Sequence, residues 1–522
     1  MISETINYIE PTKELGDIKK FGKIYGVHKY WSRKPWHPIS ECILKYSNKG
    51  EKVMDPFMGS GVTALESVIS GRDFIGFDLN PMSVFISENT IKRIMNMKVF
   101  EEELMNISKK VKKLAEDLYS TTDKCDICNK NLILIHSNIG PKFKNSETGL
   151  FCCPDCGRSK TLVRRKLNSK DLKKFNKDYK IKSWVPRVPF PKEFYKDRFS
   201  YKGITEVSDM FTPRNLYFLS ELKESIAKWG LNYKDLFLMA FSNTLLHSSK
   251  LKSENVRPLS VNNYWVPDDY IEENPWLRFI SMVSRIKEAK QILNERLDRE
   301  SLGKYQLMNS SSLKTNLKGE SIDYIITDPP YGDAIQYYEL SYIWNAWLDT
   351  NYDPKEELII NPKQKKGKEE FFDLMDKSVG ESERLLKKGS YYTLCFHNKD
   401  FGIWKGVLDI FKRYNFSLEN IEIVQSKGNS YNTNWSKFNP KTDIYLTFKK
   451  SKYNATHNKK VFISDIVKEI MNSKRGLPIS EIYDYLTVNL ISELYYNEST
   501  PEISGLTIKK LANIIEEVKN GD

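Results

Sequence analysis

Residues 52–78, KVMDPFMGSGVTALESVISGRDFIGFD, decide how this chain is read. Lys52-Val53-Met54 predicts a short buried strand, which Asp55-Pro56-Phe57-Met58-Gly59-Ser60-Gly61 ends in a glycine-bearing turn. Val62 to Ser70 predicts a helix stopped by Gly71, and Phe74 to Phe77 a second strand closing at Asp78. Strand, glycine-rich turn, helix and strand with a terminal acid make a nucleotide-binding βαβ unit. The glycines let backbone approach a ligand, and the acid accepts from ribose hydroxyls. Asp78 stands 17 residues after Gly61, close to the spacing of about 20 expected of a ribose acid. The turn lacks the third glycine of a dinucleotide fingerprint, and no Gly-Lys-Ser/Thr follows as in a phosphate-binding loop. It suits a nucleoside without a pyrophosphate, such as S-adenosylmethionine. Gly-x-Gly alone is an ordinary turn.

A second stretch carries the chemistry. The apolar run Ile322 to Thr327 closes in Asp328-Pro329-Pro330-Tyr331. A strand ending in an acid, two prolines and an aromatic ring places rigid acceptors and a stacking surface at a sheet rim. Those groups can hold a planar, amino-bearing base. Proline has no N–H, so this corner offers acceptors without a competing donor.

With both motifs in hand, the chain resembles the amino-methylating DNA methyltransferases, which modify an exocyclic nitrogen of adenine or cytosine. Asp55 to Gly61 looks like their cofactor loop and Asp328 to Tyr331 like their catalytic motif. Val27-His28-Lys29-Tyr30-Trp31-Ser32-Arg33-Lys34-Pro35-Trp36 is similar to the aromatic and basic segment that packs over the methionine moiety. Tyr338 to Trp344, Leu385 to Gly389, Tyr391 to His397 and Asp443 to Phe448 resemble later elements of the same core. The motif order is like the family's α arrangement, in which a long insertion carries target recognition. Phe211 to Leu216 resembles a segment shared by a group of large adenine-specific methylases.

The resemblance implies catalytic Asp328, Pro329, Pro330 and Tyr331. It implies cofactor binding by Asp55, Pro56, Phe57, Gly59, Ser60, Gly61, Asp78, Trp31 and Lys34. The implied activity is S-adenosylmethionine-dependent methylation of adenine N6 in a specific sequence of double-stranded DNA. Its context would be restriction-modification or phage defence, with a cognate restriction endonuclease as partner. Adenine is preferred over cytosine N4 because the motif begins with Asp rather than Ser. Asp-Pro-Pro-Tyr-Gly also resembles tRNA guanine-N2 methyltransferases, although no recognisable RNA-binding domain precedes the cofactor loop. A non-enzymatic zinc-ribbon DNA binder on a decayed methyltransferase fold is the remaining alternative.

Composition agrees with a large nucleic-acid enzyme. At 522 residues the chain predicts two to four units with real cores. No 18-residue apolar stretch or signal peptide is present, so a soluble, cytoplasmic protein without membrane partners is expected. The net charge of +13 suits a polyanion. Residues 157–182 hold eleven Lys/Arg against two Asp, and so most of that surplus, which reads as a phosphate-contacting stripe. Just before it, Cys125-x-x-Cys128 and Cys153-x-x-Cys156 have the spacing of a tetrahedral zinc ribbon, with Cys152 an alternative to Cys153. Four sulfur ligands leave no open position, so that zinc would be structural. Cys42 and Cys395 read as core residues.

The expected architecture is an α/β, Rossmann-like S-adenosylmethionine methyltransferase core with a long insertion and a C-terminal helical module. Residues 1–95 and 321–450 form its cofactor and catalytic halves. Residues 96–320 are the insertion, with a zinc ribbon at about 120–160, the basic stripe, and helices for target recognition. Thr212 caps one helix, Pro213 starts it and Gly230 stops it; Asp235 to His247 predicts another. Arg214 and Asn215 open the first helix and are candidates to touch DNA. Residues 455–522 predict a winged-helix-like module or a stabilising appendage, with Gly476-Leu477-Pro478 as a break.

Overall fold

The computed structural model describes residues 7–143, 147–175, 177–194, 200–254, 257–259, 264–297, 302–425, 442–453, 462–474, 477, 479–497, 503 and 505–520. Gly476 and Pro478 of the expected helix break lie outside these residues.

The strands in chain order are β1 (Asn7–Tyr8), β2 (Lys52–Asp55), β3 (Asp73–Asp78), β4 (Ser120–Lys124), β5 (Asn131–Ile139), β6 (Thr148–Cys152), β7 (Val163–Lys166), β8 (Tyr270–Glu273), β9 (Tyr305–Asn309), β10 (Ile322–Thr327), β11 (Leu386–Phe396), β12 (Phe416–Gln425) and β13 (Thr442–Lys450). Eight of them form one sheet in the order β1-β12-β13-β11-β10-β2-β3-β9. β2 pairs in parallel with β3 on one side (Val53 with Phe74) and with β10 on the other (Val53 with Tyr324). Val53, Tyr324, Ile325 and Ile326 are fully buried, as expected of strands covered on both faces. From β2 the chain winds outward through β3, while β10 leads to β11 in the opposite direction. The boundary between β2 and β10 is therefore the topological switch point, where a doubly wound sheet opens a crevice at its strand ends.

β9 corrects a boundary. It lies within the residues 96–320 expected of the insertion, yet it pairs in parallel with β3 as the edge strand of the core sheet (Phe74 with Tyr305). As an edge strand with half-exposed residues, YQLMN carries no continuous apolar run to announce it.

The insertion leaves the core along the helix Met97–Tyr119 and returns along Pro275–Leu297. Between them, β4 to β8 form a second sheet, in which β8 pairs with β5. The helix Pro213–Trp229 has the expected limits, with the Thr212 side chain accepting from Asn215 N–H at 3.2 Å, and Lys234–Ser248 exceeds the expected Asp235 to His247 by one residue at each end. This insertion shares a hydrophobic core with the helix Tyr337–Leu348 that follows the Asp-Pro-Pro-Tyr motif, so it is braced against the core downstream of β10.

Arg214 and Asn215 do not face a nucleic acid, contrary to expectation. Arg214 is buried and ion-paired with Glu272 of β8, whose Oε1 also accepts from Thr212 Oγ1 at 2.5 Å. Asn215 is fully buried, accepts from Tyr119 Oη and donates to the Ser248 and Glu273 carbonyls. The segment pins the insertion's helices to its sheet. Arg214→Ala would leave Glu272 buried and unpaired, so a loss of about 3–5 kcal/mol of stability is expected by denaturant unfolding. A loss below about 1 kcal/mol would show that the pair does not brace this region.

The C-terminal helices Ile463–Ser473, Ile479–Tyr496 and Ile508–Asn520 pack on the core beside β12 and the helix Phe401–Arg413. Leu486, Leu490, Leu494 and Tyr495 join the same core as Phe411 and Phe448, and Thr442 Oγ1 donates to Asp484 at 2.8 Å. Among the described residues no helix is long and apolar enough to cross a membrane.

Candidate active site

Asp55 ends β2 and is buried. Its Oδ1 accepts from Phe57 N–H at 3.0 Å and from Thr327 Oγ1 at 2.6 Å, and its Oδ2 from Thr63 Oγ1 at 2.8 Å. One carboxylate thus ties together the glycine-bearing loop after β2, the helix Val62–Ile69 and the last residue of β10. Burial pushes this carboxyl up to about 6 against the pull of those donors.

Gly59 and Gly61 both adopt left-handed backbone, at φ +52° and +77°. A Cβ on Gly59 would lie 3.0 Å from the Tyr30 ring, and one on Gly61 2.7 Å from Ser87. A side chain at either position would meet protein atoms, so the turn's tight packing on Tyr30 and Ser87 also calls for glycine. Asp78, at the end of β3, accepts from Gly59 N–H at 3.0 Å and Asn80 N–H at 2.8 Å. Burial raises its carboxyl to about 7.

On the other side of the switch point, Asp328 Oδ1 accepts from the Tyr331 hydroxyl and lies 3.6 Å from Lys34 Nζ. Lys34 Nζ also donates to Asp443 Oδ1 at 2.6 Å and sits 5.0 Å from the centre of the Tyr331 ring. Burial works against the Lys34 charge, but Asp328 and Asp443 outweigh it and keep the ammonium protonated. Burial pushes Asp328 up to about 7, opposed by Lys34 and Tyr331. The Tyr331 ring meets Phe396 edge-on, and its carbonyl accepts from Asn398 Nδ2 at 3.1 Å. Lys34 is thus a counter-ion for the acid of the Asp-Pro-Pro-Tyr motif, and Tyr331 presents a face already covered by an ammonium group.

A cavity of about 940 Å³, open to solvent, lies above the switch point. Asp55, Pro56, Phe57, Gly59, Ser60, Asp78, Trp31, Lys34, Asp328 and Pro330 line it. Of the residues picked out in the sequence, Gly61, Pro329 and Tyr331 stand outside the lining. The lining residues that sequence reasoning missed include Asn80, Tyr337 and Tyr352, and two further groups: Ser310 to Leu313, which follow β9, and Glu356 to Leu358, which follow the helix Tyr337–Leu348. Ser310 to Leu313 and Glu357-Leu358 lie outside helices and strands, and Glu356 ends a single 3-10 turn (Pro354–Glu356), so no periodicity marks them. The position of the first group after a strand was the available signal, once β9 is placed in the core sheet.

The sulfurs of Cys125, Cys128, Cys153 and Cys156 lie within 4.8 Å of one another. Asn129 turns at φ +59°, and its N–H donates to the Cys125 carbonyl at 2.8 Å, closing a tight knuckle. Cys152 pairs with Ile133 within the sheet, so Cys153 is the member of the cluster. The basic stripe follows as the helix Arg158–Thr161, β7 and the helix Ser169–Phe175. Arg158, Lys160, Arg164, Lys166, Lys170 and Lys173 are exposed, whereas Arg165 is engaged by Asp123 and Asp171.

Comparisons with known proteins bear on this site. Residues 8–89, which include the aromatic-basic segment, the cofactor loop and Asp78, match a family described as DNA methylase. The type II methyltransferase M.MjaII of Methanocaldococcus jannaschii is 24% identical over 104 residues, 20% of this chain and 19% of that protein. The DNA adenine methyltransferase YhdJ of Escherichia coli is 43% identical over 49 residues, 9% of this chain and 17% of that protein. The type II methyltransferase M.MvaI of Kocuria varians is 22% identical over 421 residues, 70% of this chain and 75% of that protein. The chain thus spans under a fifth of the first two relatives and three quarters of the third.

Proposed function

We propose that this protein is an S-adenosylmethionine-dependent DNA methyltransferase acting on adenine N6. The observation that carries this reading is the Asp55–Thr327 hydrogen bond. It holds the cofactor loop and the Asp-Pro-Pro-Tyr motif, more than 270 residues apart, at one cavity that Asp78 and Asp328 also line. The match of residues 8–89 to a DNA methylase family supports the substrate class, and the DNA adenine methyltransferase YhdJ supports the base.

The residues fit such a cofactor. Asp78 keeps its carboxylate at the cavity wall with two backbone donors fixing its orientation, which leaves lone pairs for ribose hydroxyls. Trp31 and Pro56 supply apolar wall. S-adenosylmethionine, when bound, supplies an electrophilic methyl group on a sulfonium. The chain's own contribution is to position and polarise the nucleophile. An exocyclic amino group is conjugated with its ring, so its lone pair is poor until drawn out of the plane. The Asp328 carboxylate and the Pro329 carbonyl accept from that amino group and favour a tetrahedral nitrogen. The Tyr331 hydroxyl and Lys34 both sit at Oδ1, which orients the carboxylate with Oδ2 left for the base. Stacking of the base on Tyr331, worth about 1–3 kcal/mol, requires Lys34 to move off the ring. Extracting the base from the duplex takes a few kcal/mol, which that contact and phosphate contacts along residues 157–182 help to offset. The four-cysteine cluster fits a structural zinc ion, which would fold the knuckle and aim the basic stripe.

Transfer of labelled methyl from S-adenosylmethionine into duplex DNA, with tRNA as the parallel acceptor, tests the class; sequencing of DNA from expressing cells identifies base and context. Label in tRNA alone would overturn the proposal. Cytosine N4 is the second reading, since the matched family pairs N6 and N4 methylation in its name; labelled N4-methylcytosine would decide for it.

The ionised form of Asp328 is the acceptor, and its carboxyl is raised to about 7. The single-turnover rate at saturating cofactor should therefore fall as pH drops through about 7, approaching tenfold per unit below it. A rate constant that stays flat from pH 8 to 5.5 would remove Asp328 from this role.

A further inference from the structure

Glu357 lines the cavity but has no part in the reading above. Its Oε1 accepts from Tyr338 N–H at 2.8 Å and so caps the helix Tyr337–Leu348, whose own N-cap residue Gln336 makes no side-chain cap. That bond accounts for one oxygen only. The side chain is 5% exposed, and Oε2 accepts no hydrogen bond among the described residues. A buried carboxyl oxygen without a donor is unfavourable by about 1–3 kcal/mol, so such an atom at a cavity wall points to a donor brought by a ligand.

The surroundings say which end of a ligand this is. Asp78, Glu339 and Lys366 act on the Glu357 carboxyl. Tyr30 and Tyr352 each feel both Glu357 and Asp78. The Lys366 ammonium is spent on main-chain carbonyls, donating to Pro354 at 2.5 Å and to that of Glu357 itself at 2.8 Å, so it does not satisfy Oε2. Asp328, at the reacting end, has the Tyr331 hydroxyl and Lys34 at its Oδ1.

We propose that Glu357 is a second ligand-binding carboxylate of this cavity, taking a hydroxyl or amino donor from the nucleoside half of the cofactor beside Asp78. This rests on the reading of the cavity as an S-adenosylmethionine site. Burial pushes the Glu357 carboxyl up to about 8, and a donor set against Oε2 would draw it back down.

The test is calorimetric titration of the full chain with two probes. S-adenosylhomocysteine carries nucleoside and amino acid, whereas 5′-methylthioadenosine carries the nucleoside alone. Glu357→Gln keeps an oxygen for Tyr338 N–H and replaces the free acceptor with a donor. It should bind both probes about tenfold to a hundredfold more weakly, the size of one charge-assisted hydrogen bond, with an unchanged melting temperature. Glu357→Asp retains a carboxylate one methylene short and should lose affinity for both probes as well, which keeps the test open should the glutamine variant fold poorly. Variants that bind both probes like the wild type would overturn the proposal. A loss confined to S-adenosylhomocysteine would move Glu357 to the amino-acid end and overturn the assignment to the nucleoside. A wild-type protein that binds neither probe would overturn the cofactor reading itself.

Discussion

Asp328→Asn is expected to lower the methyl-transfer rate by about a thousandfold while leaving affinity for S-adenosylhomocysteine within about twofold, the range set by losing one positioned acid–base group. The amide keeps the volume of the carboxylate and can still accept from Tyr331 through its oxygen. It removes the negative charge that faces Lys34 and offers the base an N–H where an acceptor is needed. Cofactor binding is spared because Asp55 and Asp78 are held by their own donors, independent of Asp328. Single-turnover rates and calorimetric affinities on the same preparation check both halves of the statement. Equal loss of rate and affinity would mean that Asp328 holds the cavity together rather than serving the reaction.

Cys153→Ser is expected to reduce bound zinc from one ion per chain to none and to weaken binding to duplex DNA by at least tenfold, whereas Cys152→Ser leaves both unchanged. The difference between adjacent residues follows from the strand: Cys152 is the last residue of β6 and pairs with Ile133, while Cys153 lies just past the strand end with Cys125, Cys128 and Cys156. Metal binding at four thiolates contributes about 10–16 kcal/mol to small zinc domains, so its loss should unfold the knuckle that carries the start of the basic stripe. Elemental analysis and limited proteolysis around residues 120–160 report the first effect, and DNA titration at fixed salt the second. Full zinc content in the Cys153 variant would remove that residue from the ligand set.

The two motifs at the switch point were legible because each couples a short apolar run to an acid at its end, and strand ends are where a doubly wound sheet exposes chemistry. The cysteine cluster was legible because ligand spacing within each Cys-x-x-Cys is local. Lys34 was assigned to the cofactor on its neighbourhood in sequence, whereas its partners Asp328 and Asp443 come from two distant strands. Arg214 opens a helix and so is a candidate to touch DNA from sequence, but Glu272, 58 residues later, neutralises it. Glu357 carried no signal at all, since coil has no period and its helix-capping bond is to a residue 19 positions earlier.

By itself the sequence determined the βαβ unit, the acids at its strand ends and the four-thiolate set, because each depends on residues within a few turns or strands of one another. Only tertiary structure decided that β9 closes the core sheet, that Arg214 is a brace, and that Lys34 and Glu357 line the same cavity. Those outcomes depend on which buried charge finds which partner. Desolvation makes an unpaired charge so unfavourable that the partner is supplied by whatever element packs alongside, however far away it lies in the chain.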